Sequence, residues 1–140
     1  MTGRTFVDTN VFLYAVDNSD ADKQRRAREV LLATPGITIS TQVLNEFYAV
    51  ATRKLKPPLP GPTTRSLIEG MARYECVPVD ADLVLRAVRA GQRWQLSHWD
   101  ALMLEAARQA ACDRVLTEDL ADSATYDGVR IQNPFRSEVN

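Results

Sequence analysis

The chain has 140 residues, 45% hydrophobic and 25% charged, with a net charge of −1. A chain of this length makes one domain and can bury about 68% of its unfolded surface, so it needs no disulfide or structural metal to hold a core. The balanced charge excludes a uniformly basic nucleic-acid-binding domain. Two cysteines in no paired motif, Cys76 and Cys112, with the lone His98, exclude a Cys/His zinc site.

The elements alternate along the chain. Thr5-Phe6-Val7 predicts a strand ending at Asp8, and Val11 to Val16 a short helix. Asp20 to Thr34 has helical periodicity, and Pro35-Gly36 ends it; its basic run Lys23, Arg25, Arg26 and Arg28 reads as a solvated face, with the lining of an RNA groove as the alternative. Ile37 to Ser40 is β-branched and strand-like. Thr41 opens a helix to about Lys54, with Val43, Leu44, Phe47, Val50 and Ala51 as its apolar stripe. Pro57 to Pro62 predicts a stiff, non-helical loop. A helix over Thr63–Arg73, a strand at Cys76–Val79, helices from Asp80 to Arg93 and Ser97 to Ala111, and a strand at Val115-Leu116 follow. Glu118 to Gly128 is expected as loop and Val129 to Ile131 as the last strand. The alternation predicts an α/β fold spanning residues 1–140 as one domain: a central parallel sheet of about five strands with helices on both faces. With no signal peptide visible and no apolar run near the ~18 residues of a membrane span, a cytosolic protein is expected.

Ligands of open α/β sheets bind beyond the carboxyl ends of the strands. Asp8 ends the first strand and Asp119 follows the strand at Val115-Leu116, so both belong to that rim; either alone is equally a cap or turn residue. Asp100 shares the side of its helix with Met103, Leu104, Ala107 and Ala111, opposite Glu105, Arg108 and Gln109. Ser97 and Asp100 have capping-box spacing, which accounts for an acid but not for one facing the core. A core-facing Asp100 among like charges is expected to have a raised pKa. Glu46 borders the stripe of Val43, Phe47 and Val50, in the first turns of a helix that starts at the same rim. Four acids on one edge, with no basic residue beside them in sequence, call for a cation. Oxygen-only donors point to Mg²⁺ or Mn²⁺ and so to phosphodiester hydrolysis.

Two other acidic-rim chemistries fit less well. A haloacid-dehalogenase-type phosphatase needs a second acid at position 10, which is Asn10, and a receiver domain needs paired acids after the first strand, although Asp80 has the look of an acceptor.

Asp8-Thr9-Asn10-Val11, Leu44-Asn45-Glu46-Phe47, Ser97-His98-Trp99-Asp100-Ala101-Leu102 and Leu116-Thr117-Glu118-Asp119-Leu120 resemble, in their usual order, the motifs of PIN-domain ribonucleases. The ending Asp127-Gly128-Val129-Arg130-Ile131-Gln132-Asn133-Pro134-Phe135 resembles one branch of the VapC toxins of bacterial toxin–antitoxin pairs. The resemblance implies a PIN-like fold and a Mg²⁺-dependent endoribonuclease, with Mn²⁺ as a substitute, acting on RNA such as tRNA or rRNA. It also implies inhibition by a cognate VapB-type antitoxin and a homodimer. By the same resemblance, Asp8 and Asp100 are the principal metal ligands, Glu46 and Asp119 complete the shell, and Asn10 and Thr117 orient ligands or phosphate. Thr9 reads equally as a turn residue. Phe47, Tyr48 and Trp99, near these motifs, are expected to offer the antitoxin an apolar surface. A catalytically inactive PIN-like module that binds RNA or protein is the rival, although it is expected to have lost some of the acids.

Overall fold

The computed structural model describes residues 3–136. Its elements are β1 (Thr5–Val7), α1 (Thr9–Val16), α2 (Ala21–Ala33), β2 (Ile37–Ser40), α3 (Thr41–Arg53), α4 (Gly61–Met71), β3 (Glu75–Val77), α5 (Ala81–Trp94), α6 (His98–Gln109), β4 (Arg114–Leu116), β5 (Thr125–Tyr126) and β6 (Val129–Gln132). The six strands form one sheet in the order β3-β2-β1-β4-β6-β5. Every pairing is parallel except that of β5 with β6.

The central strands have no exposed side. All of Thr5, Phe6, Val7 and Ile37 to Ser40 are buried, which is why these segments read as continuous apolar or β-branched runs instead of alternating. Strand order sets the helix layers. The chain moves outward from β1 to β2 to β3, then crosses back over β1 to β4. Right-handed crossovers therefore place α1–α4 on one face and α5–α6 on the other. Order reverses between β1 and β4, and the crevice at such a switch point, beyond the carboxyl ends of the strands, is where ligands bind. The Asp8 amide donates to the Leu116 carbonyl at 3.0 Å, and the Thr117 amide to Gln132 at 3.0 Å, so these strand ends are fixed side by side.

Some sequence expectations are corrected. The proline-rich segment is not loop to its end: α4 starts at Gly61 with Pro62 in its first turn, where the missing N–H has no partner to lose. The segment before β6, expected as loop, holds β5, which brings the sheet to six strands. Asp127 and Gly128 both take positive φ, 48° and 85°, the requirement of a two-residue type I′ hairpin, and pair Tyr126 with Val129. Glu105 does not face outward. Residues Ala101 to Ala107 of α6 are buried as one block, and Glu105, 5% exposed, is held by Arg108 at 3.0 Å with Arg86 at 3.9 Å. The basic run on α2 is more than a solvated face. Arg26 donates to the Pro134 carbonyl and Arg28 to the Ala15 carbonyl, each at 2.8 Å, tying α2 to its neighbours. Phe47 is core, 1% exposed, and offers nothing to a partner.

Candidate active site

Asp8 is the most constrained acid of the rim. It caps α1: its Oδ1 accepts the Thr9 amide at 2.7 Å, while its Oδ2 accepts the Thr117 hydroxyl at 2.7 Å and the Asn10 side-chain amide at 3.4 Å. The residue is 8% exposed. Burial pushes its carboxyl from 3.8 up to about 7; hydrogen bonds from Thr117 and Thr9 oppose the rise, and the charges of Asp119 and Glu46 add to it.

The other three acids arrive from separate elements. Glu46 projects from the second turn of α3, where its Oε1 accepts the Thr9 hydroxyl at 3.0 Å. Burial of its carboxyl raises its pKa, Thr9 lowers it, and Asp119 and Asp100 raise it further. Asp119 follows β4, its amide donating to Thr117 Oγ1 at 3.0 Å, and its pKa is raised by burial, then by Asp100 and Glu118. Asp100 lies in the first turn of α6, where its amide is capped by Ser97 Oγ at 3.1 Å. The charges of Glu46 and Asp119 thus reach Asp8 on one side and Asp100 on the other.

Asp100 itself is half-buried, and the core-facing placement expected for it is overturned. The helix is apolar over more than one stripe because it is packed against the sheet and α5, so a single-face reading misplaces both Asp100 and Glu105. The deeply buried acid is Asp8.

Thr117 and Asn10 both donate to Asp8 Oδ2. Thr117 is fully buried, and Asn10 Nδ2 reaches its hydroxyl at 3.3 Å. Thr9 is not only a turn residue: it joins Asp8 to Glu46 through its amide and its hydroxyl. A network the sequence does not advertise borders the site. The Tyr14 hydroxyl donates to Glu118 Oε1 at 2.7 Å, and Lys23 Nζ lies 3.0 Å from that hydroxyl and 3.1 Å from Glu118 Oε2. Only the adjacency of Glu118 to Asp119 hints at it; the lysine comes from a distant helix. Lys23 neutralises Glu118, and among the described residues none of the four rim acids has an ion pair.

The donor set fits a hard divalent cation in kind. It is all oxygen, uncompensated by any base, and Asn10 Oδ1 is buried in its midst with no hydrogen-bond partner. Among the described residues no three acidic, histidine or cysteine side chains already converge closely enough to enclose an ion.

The PIN domain family model matches residues 5–124 of the chain. No curated protein matches it. Among solved structures, a toxin–antitoxin complex from Klebsiella pneumoniae superposes with a TM-score of 0.71 at 23% identity, covering 94% of this chain and 98% of that one. VapC20 from Mycobacterium tuberculosis, a sarcin-ricin-loop-cleaving toxin, gives 0.66 at 21% identity, with 79% and 86% covered. DNA-bound VapBC from Salmonella typhimurium gives 0.64 at 20% identity, with 94% and 98% covered. At these identities the likeness is one of fold.

Proposed function

The chain belongs to the PIN-domain family, and from that premise we propose that it is a Mg²⁺-dependent endoribonuclease, the VapC-type toxin of a toxin–antitoxin pair. One observation carries the reading: four uncompensated carboxylates gather over the switch point around an Asp8 whose pKa is pushed up to about 7. A fold that needed only a cap at residue 8 would not surround it with Glu46 and Asp119. Asp8 and Asp100 are the principal ligands for Mg²⁺ or Mn²⁺, and Glu46 and Asp119 complete the shell. A divalent ion there would supply Lewis acidity to phosphodiester hydrolysis.

The chain's own residues do the positioning. The Thr117 hydroxyl and the Thr9 amide hold both oxygens of Asp8. The Thr9 hydroxyl holds Glu46, and the unpartnered Oδ1 of Asn10, an acceptor, suits a cation or its bound water and not a phosphate oxygen. Lys23 and Tyr14 absorb the charge of Glu118, so it adds less repulsion to Asp119.

The substrate is RNA, in the proposal a tRNA or rRNA, and the inhibitor is a VapB-type antitoxin. The groove between α3 and α4, about 740 Å³ and lined by Leu44, Tyr48, Pro62 and Ile68, suits the apolar face of a partner helix. Exposed Leu85 and Val88 on α5 support a homodimer. Two free cysteines, and no helix among the described residues long and apolar enough to cross a membrane, support a cytoplasmic setting. The rival, an inactive PIN-like module, draws on the absence of a preformed ion cage among the described residues.

Purified protein incubated with bulk tRNA and rRNA separates the two. Cleavage with Mg²⁺ or Mn²⁺ that stops in EDTA supports the nuclease; RNA binding without cleavage in either ion supports the rival. With the co-expressed antitoxin bound, cleavage is expected to cease.

A further inference from the structure

Holding RNA takes positive charge, and the acidic rim has none to offer. Phosphate contacts dominate the affinity of proteins for nucleic acids, yet this chain has a net charge of −1 and gathers four acids at its rim. A polyanion must then be held by basic side chains concentrated elsewhere on the surface. One cleft has that character. It lies between α5 and α6 and has a volume of about 240 Å³. Arg86, Arg89, Arg93 and Arg108 line it together with the carboxylates of Glu105 and Asp127, which leaves a surplus of two positive charges.

The two carboxylates account for only part of the cluster. Arg108 Nη1 donates to both oxygens of the buried Glu105 at 3.0 Å. Arg93 stands 3.5 Å from Asp127 and is braced over the Trp94 ring at 4.6 Å. Arg86 donates to the Gln109 side chain and approaches Glu105 only to 3.9 Å. Arg89 has no ion pair or hydrogen bond among the described residues. All four side chains are open to a ligand: those of Arg86, Arg93 and Arg108 are 38%, 64% and 44% exposed, and Arg89 is exposed as well. Helical geometry places the row of Arg86, Arg89 and Arg93 about a quarter-turn around α5 from Leu85 and Val88, so the basic row and the exposed apolar pair are separate faces.

Size and chemistry select the ligand. The cleft is smaller than the ~300–1,000 Å³ of sites that enclose a small molecule, so it takes one anionic group at a time and leaves the rest of the ligand outside. Guanidinium forks match phosphate oxygens bidentately. Trp94 is already engaged by Arg93 and, edge-on at 5.5 Å, by Tyr126, which leaves phosphate and not base as the group to be bound. A lone carboxylate from a protein partner would cancel one of the two surplus charges, whereas consecutive phosphates cancel both. The cleft is also joined to the rim by α6. Asp100 lies in the first turn of that helix and Arg108 eight residues further on, about 12 Å along its axis, the length of three or four stacked nucleotides. Building on the nuclease reading, we propose that the arginine cleft between α5 and α6 binds the RNA backbone, at a phosphate a few nucleotides away from the one at the acidic rim. The contact carries no sequence information; it fixes where the strand lies.

The test is the salt dependence of binding to a fluorescein-labelled single-stranded RNA of mixed sequence, measured by anisotropy in EDTA. For single strands, log K falls against log salt with a slope of about 0.7 per phosphate contact. Arg89→Gln is expected to make that slope shallower by about 0.7, and the Arg86→Gln, Arg89→Gln double variant by up to about 1.4. Arg89→Lys keeps the charge and is expected to keep the slope. Arg65→Gln, which removes an exposed charge from α4, is expected to keep it too. Thermal melts of the variants check that the fold is kept. A slope unchanged by Arg89→Gln and by the double variant overturns the backbone contact, and one changed equally by Arg65→Gln reduces the effect to net charge and overturns it as well. Inorganic phosphate that binds through Arg89 while the RNA slope stays unchanged assigns the cleft to free phosphate instead. An Arg89→Gln variant that loses only its hold on the antitoxin assigns it to a protein carboxylate. Wild-type protein that cuts RNA with Mg²⁺ but whose slope ignores both variants loses the cleft and keeps the nuclease reading. Wild-type protein that binds RNA through Arg89 but cuts nothing keeps the cleft and loses the nuclease reading. Wild-type protein that binds no RNA overturns the cleft's role.

Discussion

Asp8 does two jobs that pull in opposite directions. As the cap of α1 it gains from its negative charge, which strengthens the hydrogen bonds from Thr9 and Thr117, and as a residue 8% exposed beside Glu46 and Asp119 it is penalised for carrying it. Its folded pKa of about 7 lies above the unfolded 3.8, so between these values the folded state holds a proton that the unfolded state has released. Stability from this group is therefore complete below about pH 4 and declines as pH rises to about 7, by a few kcal/mol in the metal-free protein. Asp8→Asn, which keeps a capping oxygen, is expected to melt higher than wild type at pH 8 in EDTA and no higher at pH ~4. A mutant melting lower at both values would make the cap the dominant role. The same proton competes with metal. Apparent Mg²⁺ affinity is expected to fall up to about ten-fold per pH unit below 7, measurable as the Mg²⁺ concentration for half-maximal cleavage at several pH values. An affinity flat from pH 5 to 8 would remove Asp8 from the ligand set.

The elements divide their acids between capping and the rim. Asp20 caps α2 by accepting the Lys23 amide at 3.0 Å, and Asp80 caps α5 by accepting the Leu83 amide at 2.9 Å. Asp80→Ala is expected to cost about 1 kcal/mol of stability, read from denaturant unfolding, while leaving cleavage intact. Lost cleavage in a folded Asp80→Ala protein would bring a fifth acid into the site. Most elements were legible from sequence because their signals are local: β-branched runs, capping Asp and Ser residues, and the Pro35-Gly36 stop. Gly36 takes φ +62°, and a Cβ there would lie 2.5 Å from the Gly3 carbonyl oxygen, so that stop is specific to glycine. The β5–β6 hairpin was hidden although Asp127-Gly128 is its signature, because a strand of two residues carries no period of its own. The misplacement of Asp100 and Glu105 has a different cause. A helix covered on more than one side has no single apolar stripe, and the Arg86 and Arg108 partners that make a buried Glu105 tolerable are visible only in three dimensions.

At the scale of the molecule, the site is a product of topology. Asp8, Glu46, Asp100 and Asp119 are spread over more than a hundred positions, and parallel strands with crossover helices carry all four to one edge. That convergence was readable because the rule placing ligands at strand ends needs only the order of elements. The brace of Tyr14, Lys23 and Glu118, and the orphaned oxygen of Asn10, were not readable because they depend on side-chain approach across helices. Assembly adds another scale. If Leu85 and Val88 on α5 meet a second copy, Leu85→Asp is expected to shift the protein to monomer in sedimentation analysis; an unchanged mass would move the interface elsewhere. A nuclease of this kind needs its acidic rim to work with metal in cutting RNA. The most direct measurement is the rate of RNA cleavage across a Mg²⁺ titration for wild type and for Asp8→Asn, each verified as folded. Saturable, Mg²⁺-dependent cleavage is expected of wild type, and none of the variant at any Mg²⁺ concentration. Cleavage by the variant at the wild-type rate, or by wild type in EDTA, would rule out the acidic rim as a metal site for cutting RNA.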